Sequence, residues 1–328
     1  MTYLRDCANY SDAYTIDIED ARYRNLPEWA FGSRGLGSAL HGVVSAFALS
    51  QFVNPPRRFH LMAKRWNYGD FRHTFSDFSD KSDCPVNNFT PAKANRKAEV
   101  FIDWDGEVVI DGPDAFYEPN ILPPVRKHVV VYRFLPYFMG YENYFNVLSV
   151  TARAFLTPRE GLLELIRRIW TELGGSYVVI HIRRGDKKEE VGEVPISKYV
   201  SALQIRENRP RNVFLMCDGR KTCDEFSLAL GAEYHLITYQ SLMEQWGLWT
   251  AEKFPDEHSQ VAFDRLPEED RLLQTKELVV SLFVGALSDF VICTYSSNIC
   301  RLIALLRGGR MHHNGVDSVD WKNWRIAQ

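Results

Sequence analysis

Charged side chains that could bind phosphate follow a strongly apolar stretch in the middle of the chain. Residues 178–182 read Val-Val-Ile-His-Ile, and Arg183, Arg184, Asp186 and Lys187 come directly after them. Each arginine presents a fixed fork of N–H donors and keeps its charge, which suits a phosphate or diphosphate. A cluster of charges can also be a solvated turn, and this pattern alone leaves both interpretations open.

The apolar stretch itself indicates a buried strand. Its β-branched residues follow one another without polar alternation, which is typical of a parallel strand covered on both faces. Ligands of open α/β sheets bind beyond the carboxyl ends of the strands. His181 and the charged residues after it therefore lie where a binding site is expected.

The elements around this strand must be helices that cover the sheet. Thr157-Pro158-Arg159-Glu160 has the pattern of a capping box with proline at the first helical position, and Gly174-Gly175 ends the apolar periodicity. Farther along, strand and helix patterns alternate, which predicts a doubly wound parallel sheet. The predicted helices are 195–207, 222–230, 268–287 and 299–306, and the predicted strands are 213–216, 234–238 and 290–294.

Two further stretches could approach an anion with backbone amides. A glycine loop containing Gly35 and Gly37 leads into a predicted helix over 39–49. Ser296 and Ser297 precede the predicted helix 299–306, where hydroxyl groups and unpaired amides would meet. A tight turn explains the first pattern equally well, and ordinary N-capping explains the second.

The first half of the chain carries weaker patterns. We predict a strand over 57–62, and a hairpin of strands 100–104 and 107–110 joined by a two-residue turn at Asp105-Gly106. Aromatic helical material is predicted over 128–150. A domain boundary near 150–157 would follow it.

Metal and disulfide chemistry are not expected from the sequence. Asp103-Trp-Asp105 matches the metal-binding DxD motif of one class of glycosyltransferase, but the hairpin turn already accounts for Asp105. The six cysteines form no CxxC pair and have no zinc-ligand spacing with histidine, so neither a zinc site nor a disulfide scaffold is indicated.

Composition indicates a globular protein without a broad nucleic-acid surface. The chain has 328 residues, is 45% hydrophobic and carries a formal net charge of -3, which is enough apolar content for two domains and too little positive charge for general nucleic-acid binding. The N-terminus has no apolar signal-peptide region, and the longest apolar stretch is too short to span a membrane. We therefore expect a cytoplasmic or otherwise soluble protein.

Three motifs in order resemble those of α1,6-fucosyltransferases, the core-fucosylating and Nod-factor enzymes, with protein O-fucosyltransferases more distant. They are His181-Ile-Arg-Arg-Gly-Asp-Lys187, the run from Phe290 to Arg301, and Gly35-Leu-Gly37 followed by His41-Gly-Val-Val44. Trp66-Asn-Tyr68 and the closing Asp317-Ser-Val-Asp-Trp321 extend the resemblance over most of the chain.

The resemblance implies a GT-B-like architecture of two α/β domains. Residues 1–155 would form an N-terminal domain on the acceptor side, and residues 156–328 a Rossmann-like domain that binds the nucleotide sugar. The implied activity is inverting, metal-independent transfer of fucose from GDP-fucose to a glycan hydroxyl, with no cofactor besides this donor substrate. The membrane anchor, helical stalk and SH3-like domain of the animal enzymes have no counterpart here, so we expect an acceptor other than their N-glycan core.

The resemblance also implies roles for individual residues. Arg183 would hold the β-phosphate, His181 would lie near the guanine, and Asp218 would brace the nucleotide pocket. The cradle around the diphosphate would be completed by Gly35, Gly37, Arg184, Ser296 and Ser297.

The catalytic base implied by the family is a glutamate in the loop between Lys187 and a later proline. Counting back from Pro195 selects Glu190, which we expect to take the proton from the acceptor hydroxyl. Asp186 and Lys187 would orient it. The alternatives are Glu189, which ranks second, and Glu193.

Two departures from the family pattern bear on the nucleotide. The family's threonine after the arginine pair is Gly185 here, and the aspartate expected to read guanine is Ser281. Base selection is therefore open. Two other interpretations remain, a transferase of another GDP-sugar and a catalytically inactive protein that binds a glycan or nucleotide.

Overall fold

The computed structural model describes most of the second half of the chain and parts of the first. The described residues are 13–17, 35–38, 40–41, 44–45, 58–62, 68, 74–75, 99–102, 108–111, 129–130, 141–185, 192–207, 209–248, 255–311, 314–320 and 324.

The first half contributes two small sheets. Strand β1 (Ala13–Asp17) pairs in parallel with β2 (Arg58–Met62), which confirms the strand predicted there. An antiparallel sheet joins β3 (Glu99–Ile102), β4 (Val108–Asp111) and β5 (Val129–Val130) in that order.

The predicted hairpin is confirmed, and its predicted turn at Asp105-Gly106 lies outside the described residues. Ile102 pairs with Val108 at the last described position before the turn. The observed register sets Val100 opposite Ile110, so apolar positions face apolar positions. The Asp103-Trp-Asp105 motif lies outside the described residues.

The prediction of helical material over 128–150 is wrong at its beginning and at its end, and residues 131–140 lie outside the described residues. Val129–Val130 belong to β5, as two β-branched residues favour. The helix in this region is α1 (Tyr141–Phe155), which extends five residues beyond the predicted end.

The second half folds as the predicted α/β unit. Its five strands are all parallel and lie in the order β10-β9-β6-β7-β8. The strands are β6 (Val178–Ile182), β7 (Asn212–Cys217), β8 (His235–Thr238), β9 (Phe290–Cys293) and β10 (Val316–Ser318). The helices that follow α1 are α2 (Glu160–Glu172), α3 (Ile196–Gln204), α4 (Arg220–Ala229), α5 (Tyr239–Gln245), α6 (Gln260–Asp264), α7 (Glu268–Leu287) and α8 (Asn298–Arg307).

Strand β6 is buried on both faces, as its unbroken apolar sequence predicts. Val179 belongs to a core shared with α1, α2, α7 and α8, while Val178 and Ile180 belong to a second core shared with α3 and α4. The strand order reverses at β6, because the chain runs from β6 to β7 and β8 on one side and returns to β9 on the other. A crevice at such a reversal is the usual ligand site of open α/β sheets.

The capping box predicted for α2 is wrong. The helix begins at Glu160 with Arg159 as its N-cap, and no side chain caps it. Because α1 extends to Phe155, Thr157 lies in the connection between the helices, and its hydroxyl donates to the carbonyl oxygen of Ala154 instead.

The glycine loop packs against the beginning of α8. Its helix begins by residue 36, earlier than predicted, and buries Leu36 and Leu40 in the same core as α8. A Cβ atom on Gly37 would lie 2.9 Å from Ile299 Cδ1 and 3.1 Å from the backbone nitrogen of Ile299. Glycine at this position allows the close approach of the loop to the β9–α8 turn without displacing Ile299.

Two cysteine pairs form disulfides, although the sequence indicates no disulfide scaffold. Cys217 is bonded to Cys223, and Cys293 to Cys300, with Cα–Cα distances of 5.7 and 5.9 Å. Each pair joins the last residue of a strand to the first turn of the following helix. Their spacings match no cysteine motif. The strand–turn–helix fold brings the two residues of each pair together.

Two other expectations concern the domain boundary and membrane-spanning helices. The structure does not test the domain boundary near 150–157, which stays a prediction. Over the described residues, no helix is long and apolar enough to cross a membrane.

Candidate functional site

A cavity of about 350 Å³ opens at the carboxyl ends of β6, β7 and β8. The glycine loop closes one side of it, α7 another, and the first residues of α8 a third. Residues from both halves of the chain therefore line one space beside the strand reversal. Of the predicted site residues, those that line it are Gly35, Gly37, His181, Arg183, Asp218 and Ser297.

Arg183 lines the cavity and is held by Asp218. Its Nη1 donates to Asp218 Oδ2 at 3.0 Å, and the same oxygen accepts from the backbone amide of Arg184 at 2.8 Å. The Arg183 side chain is 18% exposed and that of Asp218 is 9% exposed, so water screens the ion pair only partly. Asp218 thus holds the arginine in position, whereas the bracing of a nucleotide pocket that the resemblance implies for it stays a prediction.

Arg184 points to a different set of partners. Its guanidinium forms ion pairs with Glu225 of α4 and with Glu193, the latter at 2.9 Å. Neither Arg184 nor Glu193 is among the described residues that line the cavity. The structure therefore brings Arg183, but not the Arg184 side chain, to the predicted phosphate position.

The beginning of α8 forms part of the cavity wall. Ser297 is the N-cap, and Asn298 and Ile299 follow it in the cavity wall. The first amides of a helix have no partner within it, and they lie at the positive end of the helix dipole. An anion in the cavity would meet both Arg183 and these amides.

Ser296 faces away from this wall. Its backbone amide donates to Asp320 Oδ2 at 2.9 Å, and the amide of Tyr295 donates to Asp320 Oδ1 at 3.2 Å. Asp320 lies in the closing Asp317-Ser-Val-Asp-Trp321 motif. That motif therefore fixes the β9–α8 turn, which leaves Ser297 as the predicted serine that lines the cavity.

Two buried histidines lie at the site: His181 lines the cavity, and His41 contacts the beginning of α8, while the guanine contact that the resemblance implies for His181 stays a prediction. Burial, together with the nearby Arg183 charge, lowers the pKa of His181 to about 3. Burial and Arg301 lower the pKa of His41 to about 3 as well, and His41 Nε2 donates to the carbonyl oxygen of Asn298 at 3.1 Å. Both rings are therefore neutral at physiological pH, and neither supplies a positive charge to the site.

Gly185 stands where the resemblance implies a threonine, and the structure explains the difference. A Cβ atom there would lie 2.6 Å from the carbonyl oxygen of His258 and 3.0 Å from Asp218 Oδ2. The segment that contains His258 crosses the ends of β6 and β7, where the carbonyl of Pro255 accepts the amide of Arg220 at 3.0 Å. This segment occupies the space that a threonine side chain would need.

A polar group that sequence reasoning missed lies in the wall formed by α5 and α7. Gln240 Nε2 donates to Glu277 Oε1, and both residues line the cavity. Burial raises the pKa of Glu277 to about 8, although the bond from Gln240 opposes the shift. Ser281, the residue found in place of the expected guanine-reading aspartate, lies one helical turn later on α7 and also lines the cavity.

The remaining predicted residues lie in a short stretch outside the description. Asp186, Lys187, Glu189 and Glu190 belong to residues 186–191, which the structure does not describe. Described residues on both sides of the gap, Gly185 and Gly192, show that this segment begins at the carboxyl end of β6. The roles proposed for the four residues stay predictions.

The fold is similar to that of solved fucosyltransferases. A NodZ alpha-1,6-fucosyltransferase co-crystallized with GDP matches with a TM-score of 0.51 at 14% identity, over 90% of this chain and 93% of that one. A structure of NodZ alpha-1,6-fucosyltransferase soaked with GDP-fucose has a TM-score of 0.50 with the same identity and coverage. Fucosyltransferase NodZ from Bradyrhizobium gives 0.49 at 14% identity, over 90% of this chain and 94% of that one.

The likeness is therefore one of fold. No protein-family model matches the chain, and neither does the sequence of any curated protein. The α/β architecture with a parallel five-stranded sheet agrees with the predicted fold class.

The contact of Gly185 with the crossing segment leads to a stability prediction. We expect Gly185→Thr to lower the free energy of unfolding by about 1–3 kcal/mol more than Gly247→Thr, because the new side chain must displace backbone. Gly247 is the matched control, since its φ of +68° also disfavours a side chain while no atom lies within 4 Å of its Cβ position. Urea unfolding followed by circular dichroism measures the difference. Equal losses in the two variants would contradict the assignment of the His258 contact.

Proposed function

We propose that this protein is an inverting, metal-independent glycosyltransferase that moves fucose from GDP-fucose to a hydroxyl group of a glycan. The observation that carries the proposal is the placement of Arg183, the glycine loop and the first amides of α8 around one cavity. Such a set of donors suits a diphosphate, which carries concentrated negative charge and many acceptor oxygens.

The fold comparison supports the same class of donor. The structures of similar fold include NodZ alpha-1,6-fucosyltransferase with GDP and with GDP-fucose. The Arg183 motif, the α8 motif and the glycine loop each contribute residues to the cavity wall, so the three motifs that carry the resemblance meet at one place in this chain.

Chemically, the proposed reaction breaks the bond between the anomeric carbon of the sugar and the β-phosphate oxygen of GDP. The acceptor oxygen forms the new bond from the opposite face, and its proton passes to a base. The electron pair of the broken bond leaves on GDP. Arg183 and the α8 amides would stabilise that developing charge, which is a large contribution in a partly dry site.

The base would come from the segment that follows β6. Glu190 is our choice, with Asp186 and Lys187 orienting it, and the segment starts next to Arg183 at the sheet edge. Glu193 is a weaker candidate, because its carboxylate pairs with Arg184 outside the cavity wall. Glu189 remains the second choice.

Two alternatives follow from the same site. The donor could be another GDP-sugar, since the sugar-binding contacts involve pocket shape rather than the phosphate cradle. The protein could also bind a nucleotide or glycan without catalysis. A panel of GDP-sugars scored by GDP release, with and without acceptors, separates these, because an active transferase usually transfers some sugar to water whereas a binding protein does not.

Removal of the Arg183 guanidinium should abolish most of the turnover. We expect Arg183→Ala to lose on the order of 3 kcal/mol of transition-state stabilisation, measured as the fall in kcat/KM for donor hydrolysis or transfer. Arg167→Ala removes an exposed arginine of α2 and serves as the matched control. Normal turnover by Arg183→Ala would show that the cradle is assigned to the wrong residue.

Glu190→Gln should slow transfer while the donor still binds. The variant keeps the side-chain size but removes its basicity, so we expect kcat to fall by roughly two orders of magnitude or more with GDP affinity near that of the wild type. Glu189→Gln and Glu193→Gln are the comparison variants. If one of those lost activity and Glu190→Gln kept it, the base would be reassigned.

Activity should not require a divalent ion. The cations Arg183 and Lys187, together with the helix dipole of α8, can offset the charge on the departing diphosphate. We therefore expect turnover in EDTA to equal turnover in buffer alone. Complete loss in EDTA that manganese restores would overturn this part of the proposal.

A further inference from the structure

We propose that Glu277, oriented by Gln240, selects the nucleobase of the donor by accepting hydrogen bonds from the adjacent N–H groups of guanine. This inference rests on the proposed function, because it assumes that a nucleoside diphosphate occupies the cavity. It assigns base selection to residues that neither the motif resemblance nor the fold comparison singles out.

The sheet geometry places this pair at a suitable distance from the phosphate position. Gln240 is the second residue of α5, directly after β8, whereas Arg183 directly follows β6. With β7 between them, the ends of β6 and β8 are two strand spacings apart, which is roughly 10 Å. A nucleoside diphosphate extends over a similar distance from its phosphates to its base. Arg183 after β6 and Gln240 after β8 both line the cavity.

The Glu277 carboxyl has unfilled hydrogen-bonding capacity among the described residues. Among the described residues, its one hydrogen-bonding partner is the Gln240 amide, and it forms no ion pair there. A carboxyl group taken from water costs free energy unless hydrogen bonds or opposite charges compensate it. The raised pKa reflects that cost, and N–H donors from a ligand would lower the pKa again and favour the ionised carboxylate in the complex. A carboxyl kept in this position is consistent with a ligand that completes its hydrogen bonds.

Guanine has the complementary groups. Its N1–H and its 2-amino group are neighbouring donors on one edge, whereas a carboxylate offers two oxygens and only accepts. The Gln240 amide holds Oε1, which leaves Oε2 and a second lone pair of Oε1 for the ligand. Adenine has no N–H at N1 and no 2-amino group, so it could not make these bonds.

Ser281 cannot take this role in the same way. Its hydroxyl is short and uncharged, and it lies on the cavity wall one turn of α7 beyond Glu277. Residues four apart on a helix share one face, so a carboxylate at 277 can serve the same region of the cavity as a residue at 281.

The test measures nucleotide affinity by isothermal titration calorimetry on the full chain. The ligands are GDP, IDP and ADP, where IDP keeps N1–H but lacks the 2-amino group. The variants are Glu277→Gln and a matched control, Glu269→Gln, which removes the same charge from an exposed position in the first turn of α7. Circular dichroism checks that each variant is folded.

We expect wild-type protein and Glu269→Gln to bind GDP more tightly than IDP, and IDP more tightly than ADP. Glu277→Gln should bind GDP roughly 10- to 100-fold more weakly, with ADP affinity unchanged, because only guanine loses charge-assisted bonds. GDP and IDP affinities should then converge.

An unchanged ratio of GDP to ADP affinity in Glu277→Gln would overturn the inference while leaving the proposed function intact. If the ratio stayed constant because all three nucleotides lost affinity equally, Glu277 would have a structural role. If the wild-type protein bound no nucleoside diphosphate, the proposed function itself would fail, so the two failures are distinguishable.

Discussion

The position of Arg183 depends on the carboxylate of Asp218. Strands β6 and β7 pair with Ile182 opposite Cys217, so the next residues, Arg183 and Asp218, meet beyond the ends of the strands. A shift of the register by one residue would separate them. Because the carboxylate also accepts the Arg184 amide, it fixes the backbone of the β6 end as well as the guanidinium. Breaking such a partly buried pair leaves an uncompensated charge, which is costly.

The segment over residues 255–259 adds a second constraint on the same edge. Its backbone carbonyls lie so close to Gly185 and Gly219 that a Cβ on Gly219 would be 2.3 Å from the carbonyl oxygen of Asp256. Gly185 directly follows Arg184, whose amide binds Asp218, and Gly219 directly follows Asp218 itself. The glycines therefore allow the segment to lie on the site. The close contact also leaves no space at position 185 for the threonine that the resemblance implies.

The sequence predicts the second half well because local and long-range preferences agree there. Apolar runs predicted β6, β7 and β9 within one or two residues, and the helix predicted over 268–287 has the limits of α7. Strand β10 was missed. It has three residues, and the polar Asp317 and Ser318 obscure any strand pattern. Its pairing with β9, rather than its own composition, stabilises it as a strand.

Predictions from the sequence are wrong where a neighbouring element changes the hydrogen-bonding partner of a residue. The Thr157 pattern favours a helix start, but the extension of α1 gives that hydroxyl a different acceptor. Likewise, Ser296 has the residue type of an anion cradle, but its amide belongs to Asp320, 24 residues away in sequence. The sequence around residue 296 contains no sign of that partner. Such contacts depend on tertiary structure and cannot be predicted from local spacing.

The cavity has a chemical polarity that restricts the orientation of any ligand. Arg183 and the positive end of α8 lie at the carboxyl ends of β6 and β9, whereas Glu277 and Gln240 lie toward β8. An anionic group is stabilised at the first end and opposed by Glu277 at the second, once that carboxyl is ionised. A group with N–H donors has the reverse preference. A molecule with a diphosphate at one end and ring N–H groups at the other therefore fits in a single direction. In that orientation the phosphates lie beside the residues that follow Arg183, where the proposed catalytic base belongs.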